Sequence, residues 1–359
     1  MAPYAGKDSK FGIRLGGTWH SEILLGAGHG CYLTSAPILG SQSVEELQDT
    51  SLGQVFRRSA EKGRVAVSGG LEMFSRFDGR SPELICGVLG DDTVSTPGGA
   101  VTARDHTQLF AASNDGIYYT FGALVADDRP LIIPSLKLTG FTLAGTKGNP
   151  IMASIRGIGD QLLVAQAAAP VNTVTTLTNT MTIVQAPEKT RQFVKPTAKF
   201  EVAAYGGALA EMCVEGFSLV VDRNLSGDHL TCDPTYGVDQ PLSNDYENVT
   251  LTLNLPKSVA TLWPVWDGEF ANNDFFGRLT FVHPDPNGIE PGLTYGDQWN
   301  FRNLRVNKVS PSIASAGKHA FTVELSARSD ATTAHAGMTT FDGPVSRLLR
   351  NARAASLLT

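Results

Sequence analysis

What this chain lacks narrows its function first. No apolar stretch approaches the roughly 18 residues needed to cross a bilayer as a helix. The opening residues, MAPYAGKDSKFG, hold no apolar core of a secretory signal. The expectation is a soluble protein made in the cytoplasm, with no membrane partner. Cysteine is scarce: Cys31, Cys86, Cys213 and Cys232 lie far apart, with no CxxC pair. That spacing reads as free thiols in a reducing compartment, with a Cys213–Cys232 bridge across a hairpin as the alternative. Basic charge is also short. The net charge is −6, which argues against a basic groove for sequence-directed nucleic-acid binding.

Catalytic signatures are missing as well. There is no GxSxG elbow, no HExxH, no phosphate-binding P-loop and no Cys/His zinc spacing. The fragments that come nearest fall short. GAGHG, residues 26–30, has no following helix or acidic residue at the distance a dinucleotide loop requires, and reads as a turn. His229 and Cys232, flanked by Asp228 and Asp233, supply two ligand types on one polar loop. DPNGIE, residues 285–290, has oxygen donors without calcium-loop spacing. The chain is therefore read as a non-enzyme with no catalytic, cofactor-binding or metal-binding residues.

What is present points to β-structure. The 359 residues suffice for two domains, and 37 glycines and 19 prolines punctuate many short strands. Residues 246–268, YENVTLTLNLPKSVATLWPVWDG, set the pattern. Val249, Leu251, Leu253 and Leu255 alternate with Thr250, Thr252 and Asn254, the period of a half-buried antiparallel strand. After Pro256, Ser258 can cap a short helix over 259–266 that carries Leu262, Trp263 and Trp266, with Gly268 beyond it. Residues 63–90 repeat that logic. Val65 and Val67 open a strand. Ser81 then reads as an N-cap, with Pro82 at the first helical position, Glu83 in the first turn and Gly90 as the stop. Two strand–helix units in one chain suggest duplication.

The rest of the sequence reads in the same terms. Residues 43–53 suggest a helical turn opened by a Ser43/Glu46 capping box. Asn114, Asp115 and Gly116 suggest a hairpin between the flanking strands. Residues 165–196 suggest a β-hairpin or a linker. In both halves an aromatic strand follows the strand–helix unit, and a closing strand pair follows that. Tyr118 and Tyr119 correspond to Phe275 and Phe276, Leu136 and Leu138 to Leu304 and Val306, and Ile155 to Leu325, at an offset of about 160 to 185 residues. The domain reading is an N-terminal arm over 1–60, a first β domain over 61–190, a second over 191–330, and a C-terminal arm over 331–359. That arm is expected to end in a short helix from Pro344, with Arg347, Arg350 and Arg353 on a solvated or subunit-docking side.

The order of LQDTSLG, GRVAVSGGLEMFSRFDGRSPELICGVLG, LKLTGFTLAGTKGNPIMASIRGIG, FSLVVDRNL and ENVTLTLNLP resembles the tail tube (major tail) proteins of long-tailed bacteriophages. The likeness covers most of residues 45–330 and is one of arrangement and local phrasing. It implies a mainly β fold: two tandem β-barrel or sandwich domains, each flanked by a short helix, plus the two arms. It implies self-assembly into stacked rings that form a hollow virion tail tube through which DNA passes without specific binding. It also implies tape-measure and tail-terminator proteins as partners. With two tube domains per chain, a trimer gives a pseudo-sixfold ring; a hexamer is the alternative. Trp19, His229, Tyr236, Trp263 and Trp266 are the candidate subunit or ring contacts. Thr250, Thr252 and Asn254 are the candidate lumen-facing residues, small and uncharged. Competing readings are another virion β-protein, for capsid decoration or tail completion, and a soluble glycan-binding β-sandwich protein.

Overall fold

The computed structural model describes residues 9–40, 42–47, 61–125, 129–164, 171–180, 191–192, 198–204, 208–227, 238–243, 245–256, 274–312, 320–329 and 343–359. The protein is mainly β. The first half contains β1 (Lys10–Gly16), a 3-10 turn (Pro37–Gly40), β2 (Ser43–Leu47), β3 (Glu61–Phe74), α1 (Arg80–Leu89), β4 (Thr93–Ser95) and β5 (Arg104–Leu109). It continues through β6 (Tyr118–Val125), β7 (Arg129–Thr146), β8 (Met152–Gly159), β9 (Leu163–Val164) and α2 (Val174–Thr180). The second half contains β10 (Ala198–Ala204), β11 (Ala210–Met212), β12 (Gly216–Asp222), β13 (Leu225–Ser226), β14 (Leu242–Ser243) and β15 (Asn248–Leu255). β16 (Asp274–Val282), β17 (Gly296–Ser312), β18 (Ala320–Ala327) and β19 (Val345–Asn351) complete it.

All strands but β13 and β14 join one antiparallel sheet, and its registers contain a duplication. In the first half the strand order is β1-β6-β7-β8-β3-β2. In the second it is β10-β16-β17-β18-β15-β12. Each strand takes the same place in the order as its counterpart, and the chain visits the places in the same sequence. The irregularities coincide too. The register of β6 on β7 shifts between Tyr119 and Phe121, and that of β16 on β17 between Phe275 and Gly277. The register of β7 on β8 shifts between Leu138 and Gly140, and that of β17 on β18 between Val306 and Lys308. Leu136 and Leu138 thus match Leu304 and Val306, as expected from the sequence. The other expected matches shift: Tyr119 matches Phe275 rather than Phe276, and Ile155, opposite Leu71, matches Val323, opposite Leu253, rather than Leu325.

The copies join where β12 pairs with the far half of β7, from Gly216 opposite Thr146 to Asp222 opposite Gly140. Gly140 permits this approach, because a Cβ there would lie 2.4 Å from the Val221 carbonyl oxygen. The core lies behind the junction and is continuous across it, from Leu71, Phe141, Leu143 and Ile155 to Leu219, Leu251, Trp299 and Leu325.

Several local expectations give way to tertiary pairing. No closed barrel forms among the described residues; the sheet stays open. The C-terminal segment is strand β19, not a helix. It lies between β17 and β5 and buries Val345, Arg347 and Leu349, so the strand period prevails over the helical one. Residues 43–47 form β2 against β3 in place of a capped helical turn. β5 pairs with β4 and β19 rather than with β6. Asn114 therefore marks no hairpin; it is buried and donates to the Gly87 and Leu138 carbonyls. α1 begins one residue before Ser81, with Gly79 as N-cap at φ 85°, and ends as expected at left-handed Gly90. Within the stretch read as hairpin or linker, α2 seats Leu177 against Leu25, Leu124 and Ile132. The helix expected over 259–266 lies outside the described residues.

Candidate functional site

β15 alternates as its sequence requires. Val249, Leu251, Leu253 and Leu255 are buried, Thr250 and Thr252 are half-buried, and Asn254 is exposed. The registers extend this outward face across both copies. One rung runs from Glu72 through Ser154, Thr142, Val220 and Thr250 to Ser326. The next runs through Ala144, Ser218, Thr252, Glu324 and Lys308. A third runs through Thr146, Gly216, Asn254, Thr322 and Ser310. The face is a band dominated by Ser and Thr hydroxyls, interspersed with Asn254, Gly216, Ala144, Val220 and the charged Glu72, Glu324 and Lys308, on strands whose opposite side is the core.

Charge on this band is sparse and of mixed sign, and Glu72 has no ion-pair partner among the described residues. Arg156 pairs with Asp222 at 3.0 Å, across the join of the copies. Glu324 stands opposite Lys308 in register. The amide and hydroxyl groups bond to one another: Thr322 Oγ1 donates to Asn254 Oδ1 at 3.1 Å, and Ser326 Oγ to Asn307 Oδ1 at 3.0 Å. Such a surface, with few cations, offers a polyanion little net attraction.

Sequence reasoning found the β15 part of this band and missed the rest. The alternation is legible in LTGFTLAG, where Thr142 and Ala144 separate Phe141 and Leu143, but the register shift between Leu138 and Gly140 resets the period upstream. Of the candidate contact residues, Trp19 is half-buried, donates from Nε1 to the Val238 carbonyl at 3.0 Å and packs on Tyr118 with ring centroids 5.3 Å apart. It thus ties the N-terminal segment to the loop before β14. His229, Tyr236, Trp263 and Trp266 lie outside the described residues, as do Cys232 and the polar loop around it.

Groups that could suggest chemistry serve the fold. Asp92 sits between His106 Nδ1 at 3.1 Å and Ser356 Oγ at 2.9 Å, and also accepts the Leu357 N–H. His106 Nε2 faces the Arg353 carbonyl. The carboxylate thus stands between serine and histidine, so the imidazole cannot take the serine proton. Burial works to raise the Asp92 carboxyl, but its bonds to His106, Leu357 and Ser356 outweigh that and hold it below the usual carboxylate range. In GAGHG, His29 Nδ1 accepts the Gly26 N–H. Burial, with Arg80 and Arg14 nearby, depresses that imidazole to about 4. In DPNGIE, Glu290 accepts the N–H groups of Val101, Thr102 and Ala103, the Ala103 bond being the main reason its carboxyl lies low. A pocket at the start of α1 is lined by Arg14, Arg80, Glu83 and Arg353. Its cations are engaged: Arg80 and Arg353 with Glu83, Arg14 with the Leu24 carbonyl. No group of three or more metal-ligating side chains occurs among the described residues.

The fold and the site together define a mainly β protein with an internal duplication and one outward polar sheet face. No family model matches the sequence, and no curated protein does. Among solved structures, the Hcp1 protein from E. coli EAEC 042 is 14% identical over 39% of this chain and 96% of that one, at a TM-score of 0.22. That likeness is too slight to bear on fold or function.

Proposed function

We propose that this chain is a structural protein that assembles with copies of itself into stacked rings, and that the rings form the hollow tail tube of a long-tailed bacteriophage. The observation that carries this reading is the polar band. It crosses both copies of the duplicated sheet, is rich in hydroxyls and carries few charges, of mixed sign, while the other face of the same strands is core. Turned inward around a ring, such a face suits a DNA conduit. Duplex DNA carries about one negative charge per 1.7 Å of axis, and each unpaired Lys or Arg would add affinity and retard passage. Thr250, Thr252 and Asn254 are the residues placed at the lumen in this reading.

The duplication supports three chains per ring, each giving two tube units, with a six-chain ring as the alternative. The role is structural rather than catalytic. The protein would reside in the virion tail and meet a tape-measure protein inside the tube and a terminator at its end. Electron microscopy of the purified protein tests the reading: rings or tubes of constant width are expected, with three- or sixfold averages. A protein that stays strictly monomeric at high concentration overturns it.

A further inference from the structure

The internal duplication shows how one copy docks on another, and among the described residues one half of that docking surface is unused. We propose that the far edge of β17, from Val309 to Ser312, is a seam that accepts the 35–47 segment of a second copy of this chain, as β7 accepts β12 inside it. The proposal rests on the self-assembly reading above and specifies its contact.

The equivalence follows from registers. β12 pairs with β15 on one edge and with β7 on the other. Its counterpart lies against β3, where Ser35 bridges Glu72 and Ser43 stands opposite Ala66, with the Pro37–Gly40 turn between. Ile38 in that turn lies so close to β3 that a Cβ on Gly69 would come 2.8 Å from its Cα. The segment is therefore fixed in place on β3. In β7, the stretch that receives β12 is Gly140–Thr146, directly after a register shift. In β17, the stretch after the matching shift begins at Lys308 and pairs with β18 on one edge only. β16 occupies the other edge only as far as Arg305. Among the described residues, no strand covers that edge from Val309 to Ser312.

Two departures from the internal junction shape the seam. Lys308 stands where Gly140 stands in β7, and Gly140 is the residue that lets a neighbouring carbonyl approach. The intermolecular ladder therefore starts one residue on, at Val309. Pro311 lacks an N–H and removes one donor. That limits pairing with unrelated strands, a known hazard of open edges, and leaves a short ladder for the partner that also fits in shape. The contact is head-to-tail, since β17 of one protomer meets the 35–47 segment of the next. Such contacts close into rings when the rotation permits.

Cross-linking tests this. In this register Ser310 and Ser43 of neighbouring protomers are diagonal neighbours on one face, about 7–8 Å apart, and Ser43 is exposed while Ser310 is half-accessible. Cys213 and Cys232 are first replaced by serine. Cys31 and Cys86 are buried, which raises their thiols, Cys31 to about 12, and keeps them inert. Full-length Ser310→Cys and Ser43→Cys proteins are then mixed under assembling conditions and treated with a short bismaleimide. Ser95→Cys, on exposed β4, replaces Ser310→Cys in the control. The expected result is a covalent dimer in the first mixture, at least tenfold above the control. Assemblies that form without that adduct overturn the seam and leave self-assembly standing. The absence of any assembly by microscopy overturns both.

Discussion

Arg347 and Asp297 meet in a two-pronged ion pair, Nε to Oδ1 and Nη2 to Oδ2, each at 2.8 Å, with both side chains fully buried. The pair sits between β19 and β17, with the guanidinium 5.0 Å from the centre of the Trp299 ring. Gln108 accepts from Arg347, and Gln192 donates to Asp297. A buried cation left without its partner costs far more than the pair itself contributes. Asp297→Ala should therefore lower unfolding free energy by about 3–5 kcal/mol, whereas Asp297→Leu with Arg347→Met should recover much of the loss. Urea midpoints of the three proteins check this; equal losses in the single and double variants would count against it.

Arg223 follows β12 in the second copy, yet closes α1 in the first. Its Nη2 donates to the Leu89 carbonyl and its Nε to Val88, while Nη1 reaches Ala111 and Glu247. Burial lowers the Arg223 pKa from its ordinary value, against the pull of Glu247. A lysine presents a compact ammonium in place of a fork and cannot reach all these acceptors. Arg223→Lys should cost about 2 kcal/mol or more, and exposed Arg328→Lys within ~0.5 kcal/mol. Hydrogen exchange at the C-terminal turn of α1 should rise only in the first.

Asp160 is buried beside His20 at 3.4 Å, and burial raises its carboxyl from 3.8 to about 6. Below pH ~4 both folded and unfolded states hold the proton and no penalty applies. As the pH climbs, the unfolded state ionises first, so the native state loses relative stability until Asp160 itself ionises near 6. Above that the penalty is complete, on the order of 2–3 kcal/mol. Asp160→Asn still accepts the Ser135 and Gln161 N–H groups but has no such titration. Its advantage over wild type should grow from pH 4 to pH 7. Parallel stability curves over that range would contradict this assignment.

Gly140 holds the two copies together by being small. Gly140→Ala sets a methyl 2.4 Å from the Val221 carbonyl and 3.0 Å from Arg156 Nη2. The strands must part, at a cost of about 1–3 kcal/mol. Gly98→Ala, with nothing within 4 Å, should change little. Calorimetry on both variants gives the comparison.

The sequence carried the strand pattern well. Alternation in NVTLTLNL and AFTVELSA placed the core residues, and the order of aromatic strand and closing pair revealed the repeat. It failed at the C-terminus, where VSRLLRN was read as a helix with solvated or subunit-docking arginines. Local spacing cannot show that Asp297 and Asp105, distant in sequence, wait to receive Arg347 and Arg350. It failed likewise at Asn114, whose turn chemistry is real but whose flanking strands go to different partners.

By itself, then, the sequence determined which residues face inward along each strand, because that depends only on a period of two. It also determined that two similar units exist. Tertiary structure alone decided which strands pair, that β12 of one unit closes on β7 of the other, and that a polar band crosses both. Those outcomes depend on register, and register is settled by contacts between residues far apart in the chain.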